Sequence, residues 1–183
     1  MVAKVNNNLS NEFGNLCQRT LSMVFKNCNG AVPANVGPFA AEDEALLSTM
    51  ANLRSKSSQH VSTQAIEKYV DVMVNAVREA NRYVDEMAPW ALKKTDTKRM
   101  ETVLYTLMEA LRVVSILYQP IVPQSSNAML DQLCVPKDER DFRCVEPLGE
   151  YKIVQGRTIE KPTGVFPRLE LAEEDASMTS VSS

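Results

Sequence analysis

Two long runs of apolar residues at spacings of three and four constrain the fold of this chain most strongly. They span residues 66–87 and 100–118. This spacing places the apolar side chains on one face of an α-helix, whereas a half-buried strand would need strict alternation. Similar patterns over residues 4–28 and 42–54 predict two further helices. We therefore expect an all-α fold, a helical bundle.

Cap and breaker residues set the limits of these helices. Asp96 or Thr95 is a suitable N-cap for the helix over 100–118, and Pro120 predicts its end. A last short helix is predicted over 125–133. The polar, serine-rich residues 54–60 predict a connection rather than a helix.

Helical spacing ends towards the C-terminus. Residues 142–145 and 151–154 are short segments that we expect to be extended. We predict that residues 134–171 form a non-helical strap packing back on the bundle, so that the bundle domain spans 4–171. Residues 172–183 are acidic and serine-rich with little to bury, which predicts a disordered tail.

Composition argues against several classes of protein. No apolar run approaches the roughly 20 residues that span a bilayer, and residues 1–6 lack the apolar core of a secretory signal. The four cysteines show no Cys-x-x-Cys spacing, and the chain has a single histidine, His60. A zinc site needs better clustered ligands than these. We expect a reduced, intracellular domain that binds no metal.

The charge of the chain limits how it can bind nucleic acid. It has 20 Lys and Arg against 23 Asp and Glu, and four of the acidic residues lie within 170–175. The preceding residues carry one basic residue more than acidic ones. Such a balance argues against a broad phosphate-binding surface and permits only local, base-directed recognition.

Two short polar motifs beside the helical patterns carry residue types that can hold an unpaired nucleotide. Asn15 and Arg19 lie one helical turn apart, on the face of the first helix opposite its apolar residues. Pro89 precedes Trp90, the only tryptophan, which lies outside both long apolar patterns. An amide and a guanidinium can hydrogen-bond a base edge, and an indole can stack on its face. Spacing alone also fits an ordinary solvated helix face and an ordinary core or edge tryptophan.

Four segments in order resemble the anticodon-binding domain of methionyl-tRNA synthetases of the bacterial or organellar type. They are NLSNEFGNLCQR at 8–19, YVDEMAPWALKK at 83–94, LYQPIVP at 117–123 and GVFPRLE at 164–170. The resemblance covers roughly residues 4–171, and four ordered matches are specific where one alone would be weak. It implies the class I synthetase type of helical bundle with a non-helical C-terminal strap.

The resemblance also implies a function and a role for each motif residue. Enzymes of this family join methionine to its tRNA with ATP, through methionyl-adenylate, and their C-terminal bundle recognises the CAU anticodon. By that resemblance Asn15 and Arg19 hydrogen-bond the first anticodon base, cytosine. Trp90 stacks on this base and Pro89 shapes the pocket.

The catalytic signatures of the family, His-Ile-Gly-His and Lys-Met-Ser-Lys-Ser, do not occur in this sequence. We therefore expect no catalytic residues here, no activity of the chain alone and no cofactor bound by it. ATP and methionine would be used by a separate catalytic domain. The expected partners are the anticodon loop of methionine tRNA and that catalytic domain, with no membrane, in the cytoplasm or an organelle. Pro162, Phe166 and Pro167 of the strap are our candidates for the contact between the domains.

Two alternatives remain at the level of sequence. One is a helical protein–protein interaction module without an RNA role, and the other is the anticodon domain of a different class I synthetase. Burial of Trp90 would favour the interaction module. An exposed Trp90 close to Arg19 would allow one base to bridge them, and the Pro-Trp pair argues for the methionine enzyme.

Overall fold

The structure, a computed structural model, describes residues 2–58 and 65–162, with side chains described over 11–55 and 68–162. The six helices of this part are α1 Val2–Asn27, α2 Ala41–Ser58, α3 Ala65–Met87, α4 Pro89–Thr95, α5 Thr97–Tyr118 and α6 Pro123–Gln132. Two short 3-10 turns follow, Lys137–Glu139 and Phe142–Cys144. The described residues form no strand, only one isolated bridge between Ala31 and Thr158. The predicted all-α fold is confirmed.

Helix α5 lies at the centre of the bundle. It contacts α1, α2, α3, α4 and α6, and every residue from 102 to 118 is buried. Most of its buried polar side chains have partners: the hydroxyls of Thr102 and Thr106 donate to carbonyls one turn back. The buried hydroxyl of Ser115 has no hydrogen-bond partner among the described residues. Glu109 pairs with Arg112. The apolar period therefore predicts the helix correctly but shows only one of its buried faces, because paired polar groups can also be buried.

Most predicted helix limits agree with the structure. Asp96 is the N-cap of α5, and its carboxylate accepts the backbone N–H of Arg99 at 3.1 Å. The prediction of a connection over 54–60 is wrong up to Ser58, because α2 continues to that residue. Serine lowers helix propensity only slightly, so a helix already packed on its neighbours can extend through it.

The expectation of an extended segment over 142–145 is wrong. Residues Phe142–Cys144 form a 3-10 turn. The carboxylate of Asp141 accepts the backbone N–H of Arg143 at 2.9 Å and so caps the turn. Aspartate stabilises turns in this way by offering the backbone a local acceptor.

The second expected extended segment, 151–154, also forms no strand in the described chain. The backbone N–H of Ile153 donates to Glu109 at 3.2 Å, and its carbonyl accepts the hydroxyl of Tyr105 at 2.5 Å. Side chains of α5 thus use the groups that a neighbouring strand would have used. The residues of this segment alone could not reveal its partners, because those partners belong to a distant helix.

A buried ion pair on α5 attaches the described part of the strap to the bundle. Glu109 and Arg112 are both fully buried. Glu109 also accepts the backbone N–H of Leu148 at 2.9 Å, and Arg112 donates to the carbonyl of Glu146 at 3.0 Å. Residues 163–183, which include Phe166, Pro167 and the expected tail, lie outside the described residues.

None of the helices in the described ranges is long and apolar enough to cross a membrane.

Candidate nucleic-acid interface

A left-handed residue sets the position of the tryptophan. Helix α3 ends at Met87, and Ala88 has φ 46° and ψ 63°. The Ala88 N–H still donates to Val84 at 2.9 Å, while its carbonyl accepts the N–H of Ala91 at 2.9 Å, so one residue closes α3 and opens α4. Pro89, with its φ fixed and no N–H to satisfy, takes the first position of α4. The chain therefore turns sharply just before Trp90.

Trp90 is a half-exposed side chain on a buried base. Its exposure is 47%, whereas the preceding Pro89 is buried. The guanidinium carbon of Arg19, on α1, lies 5.6 Å from the centroid of the indole ring. The structure thus brings Arg19, Pro89 and Trp90 together at one solvent-facing edge, and it does not bury the tryptophan.

Asn15 shares the exposed face of α1 with Arg19, one turn before it. The opposite face of α1 is buried in the core through Phe13, Leu16 and Cys17. Packing of that face fixes the rotation of α1, and so it turns Asn15 and Arg19 towards solvent, with Arg19 beside Trp90 of α4. Asn15 is one helical turn from the Arg19–Trp90 contact.

Asp85 is a member of this site that sequence reasoning missed. Its carboxylate lies 3.6 Å from the Arg19 guanidinium, and the two side chains are 69% and 45% exposed. An exposed pair of this kind is worth only about 0–1 kcal/mol. Asp85 therefore orients Arg19 without fixing it. The only signal in the sequence is that Asp85 stands within the 83–94 segment, on the turn of α3 that precedes the Pro-Trp pair.

Beneath the edge lies a second missed group, a network around the fully buried carboxylate of Asp43 in α2. One of its oxygens accepts the Tyr83 hydroxyl and, at 2.9 Å, the Nη2 of Arg99; the other accepts the Nη1 of Arg99 and, at 2.9 Å, the N–H of Ala40. Four donors thus converge on one carboxylate. Asp43 lies between Glu42 and Glu44 in the first turn of α2 and has no periodic signal that would separate it from an ordinary first-turn acid.

This network changes the acidity of its members. Burial alone raises the pKa of the Asp43 carboxyl, but the hydrogen bonds from Arg99, Tyr83 and Ala40 outweigh it and hold that pKa below its usual value. Burial and the bond to Asp43 raise the pKa of Tyr83. Asp43 is therefore ionised and Tyr83 protonated at neutral pH.

A polar cavity of about 510 Å³ lies elsewhere, between the ends of α5 and α6 and the first turns of the strap. The Arg140 side chain in its wall donates to the carbonyls of Val135 and Asn127 and to Asp131. These bonds fasten the strap to α6, so the arginine is already used structurally.

The edge around Trp90 has the chemistry of a binding site rather than of a catalytic one. It offers a flat aromatic face, an exposed cation and an amide, and such groups hold a planar ring with a polar rim. The described residues contain no group of three or more His, Cys, Asp or Glu side chains that could hold a metal ion.

Comparison with known proteins identifies the family. The family model described as the anticodon binding domain of methionyl tRNA ligase matches residues 32–180. The chain belongs to the methionyl-tRNA ligase family. The methionine–tRNA ligase of Rhizobium meliloti is 41% identical over 168 residues, which are 92% of this chain and 32% of that protein. The ligase of Rickettsia felis is 40% identical, over 93% of this chain and 33% of its own length.

Solved structures of the family agree with the fold. The apo form of Mycobacterium tuberculosis methionyl-tRNA synthetase superposes with a TM-score of 0.82 at 37% identity, covering 91% of this chain and 34% of that one. The complex of the same synthetase with methionyl-adenylate gives the same TM-score. The chain thus spans about a third of the length of the methionyl-tRNA ligases that it matches, and the matched part is their anticodon-binding domain.

Proposed function

We propose that this chain recognises the first anticodon base, the cytosine of CAU, in methionine tRNA. Asn15 and Arg19 would hydrogen-bond the edge of the base, Trp90 would stack on its face and Pro89 would hold the indole. The observation that carries the proposal is the half-exposed Trp90 with the Arg19 guanidinium 5.6 Å from its ring.

The interaction energies favour movement of the Arg19 guanidinium from the indole ring to the edge of a bound base. An exposed cation–π contact is worth about 0.5–1 kcal/mol, and the exposed pair with Asp85 about 0–1 kcal/mol. Stacking of a base on an aromatic side chain contributes about 1–3 kcal/mol, and hydrogen bonds to a charged group add about 1.5–3 kcal/mol each. The gain therefore exceeds what Arg19 gives up when it leaves the ring for a base edge.

The polar groups also suit cytosine better than uracil. Cytosine has an amino donor beside a ring nitrogen and a carbonyl that both accept, and an amide with a guanidinium can satisfy that set. Uracil has a ring N–H where cytosine has an acceptor. A guanidinium facing that N–H is left without a partner, and unpaired polar groups in a closed site cost the most affinity.

Within the whole enzyme, we propose that the chain is the anticodon-binding part of an ATP-dependent methionine–tRNA ligase acting through methionyl-adenylate. ATP and methionine would be used by the catalytic domain, on which this bundle packs, and the chain alone would not aminoacylate tRNA. We place the enzyme in the cytoplasm, or in an organelle if the source cell imports it.

The test is binding of the chain to a methionine anticodon stem-loop and to the same loop with its first anticodon base changed to uracil. Trp90 is the only tryptophan, so its fluorescence reports on the pocket directly. We expect quenching by the CAU loop and much weaker binding of the UAU loop. Equal binding of both loops would contradict base recognition at this site.

Arg19→Met should remove the preference for cytosine. The matched control is Arg143→Met, which removes the same charge from an exposed arginine that is paired with an aspartate on the strap. If Arg143→Met lowered the preference as much as Arg19→Met does, the effect would come from net charge and not from a base-reading pocket.

A role as a protein–protein interaction module has less support. That alternative is favoured by a buried Trp90, whereas the side chain is half exposed and lies beside Arg19. The match to an anticodon-binding domain also favours RNA as the partner.

A further inference from the structure

Helix α4, which carries Trp90, is too short to hold its own position. It has seven residues, and isolated helices of that length are not stable in water. Its N-terminal end is joined to α3 through the single residue Ala88, and Asp96 serves both as its C-cap and as the N-cap of α5. The direction of the indole is therefore decided by how the end of α3 and the start of α5 are held.

The end of α3 and the start of α5 are both hydrogen-bonded to Asp43. Tyr83 is in the last turns of α3 and Arg99 is in the first turn of α5, and both donate to the buried Asp43 carboxylate from α2. The Nη2 of Arg99 also lies 3.4 Å from the Sδ of Met87, the last residue of α3. One carboxylate thus fixes the two ends between which α4 is suspended.

We propose that Asp43, acting through Tyr83 and Arg99, is the positioning residue that holds Trp90 against Arg19 for base recognition. Asp43 itself lies in α2 beneath the site and is fully buried, so it does not contact the base. This proposal rests on the proposed function and adds to it a specificity determinant outside the four residues of the pocket.

Loss of the Asp43 charge should move the indole through a series of neighbouring contacts. Arg99 is 22% exposed and so can turn towards solvent once its partner is neutral. Met87 then loses the contact beside it. Ala88 is held at φ 46°, a conformation that costs a non-glycine residue free energy and persists only when its surroundings impose it. With the end of α3 released, Ala88 relaxes and α4 turns away from Arg19.

Two readouts test the proposal on the full chain. The indole N–H of the sole tryptophan gives one resonance in a ¹⁵N-labelled sample, and binding to the CAU and UAU loops gives the base preference. Asp43→Asn should move the resonance, as Arg19→Met should. It should also lower the cytosine preference by about fivefold or more, the equivalent of one lost hydrogen bond of about 1 kcal/mol, because a base stacked on a displaced indole no longer presents its edge to Arg19. Arg99→Lys keeps the charge but loses the two-pronged pairing, and it should act in the same direction. If Asp43→Asn fails to fold, Arg99→Lys tests the proposal in its place.

The matched control is Glu109→Gln. It neutralises another fully buried carboxylate that is paired with an arginine, but one that holds the strap and not the ends of α4. It should lower the unfolding temperature and leave the indole resonance and the base preference unchanged.

Several outcomes would overturn the proposal. An unchanged resonance and preference in Asp43→Asn, with only the unfolding temperature lowered, would make the network merely structural. An equal shift of the indole resonance in Glu109→Gln would also overturn the proposal. So would a moved resonance in Asp43→Asn without any change in the base preference. If the unaltered chain does not distinguish the two loops, the proposed function has failed, and the resonance alone then decides whether Asp43 positions Trp90.

Discussion

At the scale of single residues, Trp90 and Arg19 have separable contributions to binding. Stacking accepts any base, because every base has a π-face, whereas hydrogen bonds at the base edge discriminate. The same edge of the molecule therefore provides affinity through one residue and selectivity through the other.

Trp90→Ala should weaken binding of both the CAU and UAU loops, by about 5- to 150-fold for the loss of roughly 1–3 kcal/mol of stacking. Trp90→Phe should retain most of the affinity. Because these variants lack the tryptophan, their binding is measured by the fluorescence anisotropy of a labelled loop. A loss confined to the CAU loop would mean that the indole discriminates between bases and does not simply stack.

Asp43 makes stability depend on pH in the acid range. Its pKa is lower in the folded chain than in the unfolded one, where a carboxyl titrates near about 3.9. The unfolded state therefore binds more protons, and the stabilisation is present above about pH 4 and lost as the pH falls through the lowered folded pKa. Denaturant unfolding between pH 7 and pH 3 should show this loss.

The comparison with Asp43→Asn isolates that contribution. Hydrogen bonds from Arg143 also lower the pKa of the exposed Asp141, to about 2, so acid affects more than one carboxyl. The stability gap between the unaltered chain and Asp43→Asn should narrow as the pH falls below 4. A gap that stays constant over this range would show that Asp43 does not titrate as we expect.

At the scale of elements, the long helices were predictable and their termini partly so. Apolar spacing predicts α1, α3 and α5, and Asp96 predicts the start of α5, because these signals are local. The strap was predicted as a non-helical segment, but its contacts were not predictable, since its backbone bonds to Glu109, Arg112 and Tyr105, residues about 30 to 50 positions earlier in the chain. Long-range partners of this kind leave no period in the segment itself.

The candidate site divides in the same way. Arg19, Pro89 and Trp90 are recognisable from residue type, spacing and family resemblance, and the structure brings them together. Asp43 and Asp85 are not recognisable, because their roles depend on which helices lie side by side. A carboxylate at the start or end of a helix is common on its own, and only its neighbours across the bundle distinguish it.

The strap should detach when its buried ion pair is broken. Arg112→Met leaves Glu109 charged and buried without its partner, which costs about 3–5 kcal/mol. Hydrogen exchange at the backbone N–H groups of Leu148 and Ile153, which donate to Glu109, should become much faster than in the unaltered chain.

The double variant Glu109→Gln with Arg112→Met tests the cause. It leaves no unpaired charge, so it should recover part of the stability lost in Arg112→Met. A double variant less stable than Arg112→Met would show that the hydrogen bonds to the strap, and not the buried charge, dominate.

At the scale of the whole molecule, a net charge of −3 predicts weakly salt-dependent RNA binding. Lys93 and Lys94 are exposed in the last turn of α4, close in sequence to Trp90. If each neutralises one phosphate, log Kd against log salt should have a slope of about 1.4 in magnitude for a single strand. Replacing both lysines by glutamine should reduce the slope by that amount and weaken binding of the CAU and UAU loops equally.

Arg143→Met serves again as the control for charge alone. The guanidinium of Arg143 is exposed on the strap, and its replacement should leave the slope unchanged. A slope several times steeper than expected in the unaltered chain would indicate a broad phosphate-binding surface.

The central position of α5 determines which pieces of this chain can fold by themselves. Helices α1, α2 and α3 each complete their contacts against α5, and so does the short α4. A fragment that stops before Thr97 would expose the faces that these helices bury, and it should aggregate instead of forming a smaller bundle. The minimal autonomous fragment therefore has to extend at least through Tyr118, and a split-protein reporter built on this domain should not be divided before that residue.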